Sequence, residues 1–335
     1  MRRYVKINLA ILSILILSCI FYLYIGPIKI PFTQVFTCIL TQRNAGPCMI
    51  VNDLRLPRMI ATIIGGAALS IAGLILQFLF RNPIVGPWIL GIESGTILFV
   101  AMVLILGTSL NMIALLHPWG LLTAGVTGAL LVTLIMLVVA AFVRSVVTVL
   151  LIGIMIGYIC GAITDFLKAF AQSWQIHALA MWVLGTFSLV TWHQLNVMLP
   201  VTMAGLMLAL PLAKPLNAVL LGEDYARSLG VNIKLVRVLS VLSASLLTAG
   251  IIVFTGPIAF IGLAVPHIAR LMFKTSDARR LLLPTILLGA LITELCDLCA
   301  RTVLMPVELP INSVTSLIGA PILILLLLKR RVEYD

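Results

Sequence analysis

The feature that most constrains this chain is the repetition of uninterrupted apolar runs about twenty residues long. A helix of roughly 20 apolar residues crosses the hydrocarbon core of a bilayer. Ten such runs occur, at about 7–25, 57–80, 88–107, 117–142, 147–170, 194–213, 234–254, 257–273, 281–300 and 313–328. With 62% of 335 residues apolar, 10% charged and a mean hydropathy of +1.21, no water-soluble core encloses them all. Lipid is therefore the solvent. The expectation is an all-α polytopic membrane protein, one transmembrane domain over 1–335 with about ten helices. The first run continues into Ile25-Gly26-Pro27 with no small-residue cleavage site, so it reads as a span and not a removable leader.

An even number of spans puts both termini on one side. With the termini inside, Arg2, Arg3, Lys6, Arg81, Arg144, Lys214, Arg227, Lys234, Arg237, Arg270, Lys274, Arg279, Arg280, Lys329, Arg330 and Arg331 are cytoplasmic. Lys29, Arg43, Arg55, Arg58, Lys168 and Arg301 remain outside, so the 22 bases divide 16 to 6. That is the inside bias expected of short loops. The net charge of +11 thus reports topology and not nucleic-acid binding.

Between the sixth and seventh runs lies the polar island Leu221-Gly222-Glu223-Asp224-Tyr225-Ala226-Arg227-Ser228-Leu229-Gly230, within a segment of about 214–233. Its acids come first and Arg227 later, the order that the helix dipole favours. A polar helix between two spans lies at a water-facing surface, where it is expected to dock a soluble partner.

The remaining features are read against plainer accounts. Gly65, Gly66, Ala67, Ala68 and Gly73 suit close helix packing. Arg81-Asn82-Pro83-Ile84-Val85-Gly86-Pro87 and Thr255-Gly256-Pro257 each break a helix, and such breaks survive at membrane depth only against protein or a water-filled cavity. Asp165 and Lys168 form an i, i+3 pair. An i, i+4 pair of Asp297 and Arg301 is the simplest account of those two charges. Trp174, Trp182 and Trp192 fit an interfacial belt. Cys19, Cys160, Cys296 and Cys299 read as apolar packers. Cys38 and Cys48 share an outside loop where a disulfide would persist, although spacing alone does not decide the pairing.

No G-x-x-x-x-G-K-[ST], H-E-x-x-H or G-x-S-x-G occurs, so the chain carries no ATP-binding loop and no catalytic motif among these. Four classes remain: a permease driven by a separate ATPase, a secondary transporter, a channel, or a membrane-embedded enzyme. A secondary transporter needs an ionisable relay, for which Glu93 and Glu294 are the candidates. A channel needs repeated polar rings, which the sequence lacks. The docking island favours the driven permease.

Six motifs in order sharpen this: Arg55-Leu56-Pro57-Arg58; Arg81-Asn82-Pro83; Leu221-Gly222-Glu223 with Ala226 and Leu229-Gly230-Val231; Gly256-Pro257-Ile258-Ala259-Phe260-Ile261-Gly262-Leu263 with Pro266-His267; Asp297 with Arg301; and Glu308-Leu309-Pro310 with Gly319-Ala320-Pro321. From about Arg55 to Leu328 the sequence resembles the permease subunits of ATP-binding-cassette importers for iron–siderophore complexes, haem and cobalamin. The resemblance implies ten transmembrane helices per subunit and two subunits around a central pathway, either two copies or two related chains. It also implies two cytoplasmic ATPase subunits below and an extracytoplasmic substrate-binding protein above. It assigns ATPase coupling to Leu221, Gly222, Glu223, Asp224, Ala226, Arg227, Leu229 and Gly230. It assigns binding-protein docking, through exposed ion pairs, to Arg55, Arg58 and Arg301; the plainer account makes Arg55 and Arg58 lipid anchors. It places a cytoplasmic gate at Asn82, Pro83 and Ile84 with Ser145 and Val146. The cobalamin permease has a hydroxyl residue where Val146 stands, which weighs slightly against that cargo.

The expectation is an inner-membrane permease subunit without enzymatic activity, metal site or cofactor of its own, ATP and Mg²⁺ being bound by its partner. The cargo is expected to be a metal chelate, foremost a ferric siderophore, with cobalamin, haem or an oxyanion as alternatives.

Overall fold

The computed structural model describes residues 2–41, 46–109, 112–143 and 145–332. Helices follow one another as α1 (Arg2–Tyr24), α2 (Phe32–Thr41), α3 (Pro47–Met49), α4 (Leu56–Leu79), α5 (Ile92–Met102), α6 (Pro118–Phe142), α7 (Val146–Ala169) and α8 (Ser173–Val183). Then come α9 (Trp192–Ala209), α10 (Ala213–Leu221), α11 (Glu223–Ser228), α12 (Ile233–Thr255), α13 (Ile261–Phe273), α14 (Ala278–Thr302) and α15 (Ile311–Val332). Among the described residues there is no β-strand. Local chemistry sets several starts: Pro57 lies in the first turn of α4, and the Asn232 side chain accepts the Leu235 N–H at 3.1 Å to cap α12.

By length and composition, seven helical stretches can cross a membrane: Arg3–Tyr24, Pro47–Leu79, Pro118–Ala140, Val147–Ala169, Trp192–Leu221, Ile233–Thr255 and Ala278–Thr302. The chain is thus a multi-pass membrane protein. The runs expected at 88–107 and 257–273 give shorter helices, Ile92–Gly107 and Ile261–Phe273, because the backbone ahead of each is unwound. The last run gives α15, described with its side chains to Ile324.

Both unwound segments are satisfied by protein. Over 82–91, Ile89 donates to Gly86 O at 3.2 Å, Gly91 to Trp88 O at 3.1 Å and Ile92 to Pro87 O at 3.2 Å. At 256–260, the Ala259 N–H donates to Asn312 Oδ1 at 3.0 Å. Lipid supplies no such partners, so these breaks lie inside the bundle.

α4 stands at the centre, packed by α1, α9, α10, α12, α13 and α14. In its apolar window 78% of residues are buried, against 22% for Val147–Ala169 at the periphery. Glycine allows the approach. A Cβ at Gly73 would lie 1.6 Å from Gly262 O, and one at Gly66 would lie 2.1 Å from Gly289 O. The small-residue reading of this stretch therefore holds. The tryptophan reading is corrected at one position: Trp182 is buried, its indole N–H donating to Val253 O at 3.2 Å, because α8 folds against α12.

Gly73→Leu should force α13 off α4 and cost about 1–3 kcal/mol, the usual range for overpacking. Thermal unfolding in detergent reads this as a lowered midpoint. Gly161→Ala, with nothing within 4 Å of the new methyl, should stay within about 0.5 kcal/mol of the parent.

Candidate functional site

Two polar ends and one interior cavity carry the chemistry. α4 joins the ends: Arg58 and Leu79 are 21 residues apart on it, about 32 Å at 1.5 Å per residue.

At one end, α11 is a six-residue helix between Gly222 (φ 133°) and Gly230 (φ 80°). The positive φ at Gly230 lets Val231 N–H return to Ala226 O at 3.0 Å and stop the helix. Asp224 projects fully into solvent and Arg227 is 63% exposed, with contacts of 3.5 Å to Asp224 and 3.7 Å to Glu223. Glu223 instead faces inward, accepting from Arg237 Nη2 at 2.9 Å. Ala226 is buried. The island is exposed on its charged face, and it also exposes Leu221, Tyr225 and Leu229 at 71%, 50% and 59%. Leu221 ends α10, Tyr225 lies on α11 and Leu229 follows its last turn, so three exposed apolar side chains flank and cover this short helix. The charge pattern drew attention away from these apolar side chains.

An open groove of about 850 Å³ runs beside α11, lined by Phe80 and Arg81, by Val143 and Val149, and by Glu223 and Arg237. The turns after α4 and between α6 and α7 therefore meet next to α11. The groove is lined by neighbours of the expected gate residues and not by Asn82, Pro83, Ile84 or Ser145. Asn82 Oδ1 accepts the Ile84 N–H at 3.0 Å, and Ser145 Oγ accepts the Thr148 N–H at 3.4 Å to cap α7. Arg144 and the Val146 side chain lie outside the described residues.

The base of this end is tied to α14. Asn217 Nδ2 donates to Asp277 Oδ1 at 2.6 Å, and Asn217 Oδ1 accepts the Ala278 N–H at 2.7 Å. Partial burial pushes the Asp277 carboxyl upward. The bonds from Asn217 and the Arg279 N–H, with the nearby Arg279 and Arg280 charges, outweigh it and hold the carboxyl below its ordinary value.

At the opposite end the three arginines are not exposed cations; Arg55, Arg58 and Arg301 are all more than nine-tenths buried. This corrects the expectation of surface ion pairs: each guanidinium is already engaged within the bundle. Arg55 Nη1 donates to Leu23 O at 2.7 Å and Tyr24 O at 3.0 Å, and its Nη2 to Ile28 O at 2.6 Å. Arg301 donates to Tyr22 O, and its guanidinium carbon lies 3.9 Å from the Tyr22 ring centroid. The last carbonyls of α1, which no helical N–H reaches, are thus taken by two cations. Arg58 grips Asp297 with two bonds, Nε–Oδ2 2.9 Å and Nη2–Oδ1 3.0 Å, and reaches Glu308 at 2.9 Å. Tyr22 also donates its hydroxyl to Asp297. Asp297 is therefore partnered by Arg58, correcting the Asp297–Arg301 expectation. Along one helix face Arg301 is drawn instead to the end of α1. Cys38 and Cys48 form a disulfide with Cα atoms 5.0 Å apart, beside this end; Arg43 lies outside the described residues.

Of the two interior acids, Glu294 is fully buried and accepts from Ser18 Oγ at 2.7 Å. Glu93 lies apart, in a cavity of about 310 Å³ with Trp88, Thr248 and Phe260. The two are not brought together into a relay.

Residues 14–329 match the FecCD transport family. The vitamin B12 import system permease protein BtuC of Yersinia pseudotuberculosis is 38% identical over 84% of this chain and 82% of its own. The ABC transporter permease protein YvrB of Bacillus subtilis is 34% identical over 95% and 92%. A solved structure of a metal-chelate type ABC transporter in an inward-facing conformation superposes with a TM-score of 0.83, at 27% identity, over 97% of this chain and 99% of that one.

Removing one member of a buried ion pair strands the other. Arg58→Met should cost about 3–5 kcal/mol and Asp297→Leu a similar amount, and the double variant should cost less than their sum; a double-mutant cycle on thermal unfolding checks this. The Asp277 carboxyl is depressed in the fold, so its stabilisation is complete above the unfolded value near 4 and is lost as pH falls through the folded value. Hydrogen-exchange protection over 213–221, referred to the intrinsic rate at each pH, should fall below about pH 4, and Asp277→Asn should remove that acid step.

Proposed function

The chain belongs to the FecCD transport family, and from that premise we propose that it is the membrane permease of an ATP-driven importer of metal chelates. The reading makes it a single permease domain with ten crossings, seven of them the long helices and the others built on α5, α13 and α15. Both termini and α11 face the cytoplasm of a cell whose inner membrane holds it. The observation that carries the reading is α11 itself, a short helix with an exposed charged face and exposed Leu221, Tyr225 and Leu229 around it, tied to the bundle through buried Ala226 and Glu223–Arg237.

Function follows from this geometry. Two cytoplasmic ATPase subunits, which bind ATP and Mg²⁺, grip α11 of this chain and of a second permease subunit, either a copy or a related chain. When the ATPases close, a rigid helix seated in each carries its attached spans with it. The exposed Leu221, Tyr225 and Leu229 side chains supply the buried contact. Asp224 and Arg227 orient the docking, since exposed ion pairs are worth only about 0–1 kcal/mol each. A substrate-binding protein delivers the chelate to the arginine end. There, with the three arginines engaged inside, Glu308 and the exposed loop Val303–Val307 form the available surface.

A ferric siderophore is the cargo expected from sequence. The 38% identity to a vitamin B12 permease gives cobalamin a specific claim beside it, and both are metal chelates. Competition for uptake by reconstituted chain, ATPase and binding protein tells them apart. Uptake should require all three components and ATP. Uptake by this chain alone under a proton gradient would make it a secondary transporter. Tyr225→Ala with Leu229→Ala should lower ATPase affinity at least tenfold, whereas Asp224→Lys should change it less and in a salt-dependent way.

A further inference from the structure

Glu93 is the one ionisable side chain that the proposed function leaves unused in the interior cavity, and among the described residues no cation pairs with it. The cavity is bounded by both unwound segments, through Gly86, Pro87 and Trp88 on one side and Ile258, Ala259 and Phe260 on the other. Leu69 and Thr248 close its back. The Thr248 hydroxyl is fully buried and has no hydrogen-bond partner. Gly262, on the same wall, meets Gly73, six residues before the end of α4, which sets the cavity about 9 Å inside the bundle from that end. Glu93 sits in the first turn of α5 and Phe260 caps α13, so two helix N-termini open here.

A carboxyl group facing hydrocarbon at this depth costs several kcal/mol, and an unpartnered buried hydroxyl adds to it. The cavity is also open on the side of the bundle, where Trp88 is half exposed. The backbone of both breaks is satisfied by protein, so it is the unpaired carboxyl beside them that calls for water. We infer that the Glu93–Thr248 cavity lines a water-filled path and forms a subsite for a partly apolar cargo that presents N–H or O–H donors. The Glu93 carboxyl receives those donors, and Leu69, Trp88, Ile258 and Leu263 receive the apolar body.

This rests on the permease reading for its cargo but not for its aqueous character, and the test separates the two. In the reconstituted full chain, with the native free cysteines replaced, Glu93→Cys and, as a second reporter, Thr248→Cys are treated with charged and neutral methanethiosulfonates of similar size. Tyr158→Cys, exposed on α7 away from the cavity, is the comparison site. The charged reagent should modify the thiol introduced at position 93 or at position 248 at least tenfold faster than the control. If neither reporter exceeds the control, the aqueous path is refuted. With ATPase and binding protein added, Glu93→Gln should change the ratio of cobalamin to ferric hydroxamate uptake at least threefold, while ATP hydrolysis stays within twofold. An unchanged ratio removes Glu93 from the cargo path. The labelling result stands whether or not either chelate is carried.

Discussion

Lipid offers no hydrogen bonds, and most of what is unusual in this bundle follows from that. A helix that ends at membrane depth leaves carbonyls with no partner. α1 ends within reach of α4 and α14, and Arg55 and Arg301 take its last carbonyls. Importing cations to cap a helix brings positive charge into a poorly solvated place. Asp297 and Glu308 offset it through Arg58, and the negative end of α1 contributes a further partial charge. Three guanidinium groups, two carboxylates and a helix terminus thus form one mutually dependent cluster. Any member alone would be costly where it stands.

The same constraint explains the two broken helices. Their free backbone groups must meet protein, so α13 has to come close to α4, and α4 supplies glycine at the contact. Close backbone approach leaves no compliant side-chain layer between the elements. Packing of this density transmits displacement instead of absorbing it. α4 and α14, joined at Gly66 and Gly289, therefore behave as one two-helix rod.

Much of this was legible in the sequence. The apolar runs gave the class, and Gly222 and Gly230 around a charged segment located α11. The arginines were found, but their environment was not. Arg55, Arg58 and Arg301 lie up to 246 positions apart in the chain, and their burial depends on where α1 ends in space, which no local pattern encodes. Asp297 illustrates the limit: helix spacing offered Arg301 as its neighbour, while tertiary packing supplied Arg58. The exposed Leu221, Tyr225 and Leu229 around α11 were not singled out, because charge is the more conspicuous signal in so apolar a chain. The short α5 and α13 were hidden because a hydropathy window averages over the unwound residues ahead of them.

The placement of the two polar ends has a mechanical consequence. α14 begins at Asp277, which binds Asn217 of α10, the helix that leads directly into α11. It finishes at Asp297 and Arg301, in the cluster that holds α1 and Glu308. α4 begins at that cluster and ends beside the groove next to α11. A force on α11 thus enters the rod at one end through α10, and the bonded cluster keeps the other end from fraying as the rod moves. Exposed pairs on α11 are weak, whereas the buried pairs at the far end are costly to break. Motion is therefore more easily accommodated at the α11 end than at the arginine end.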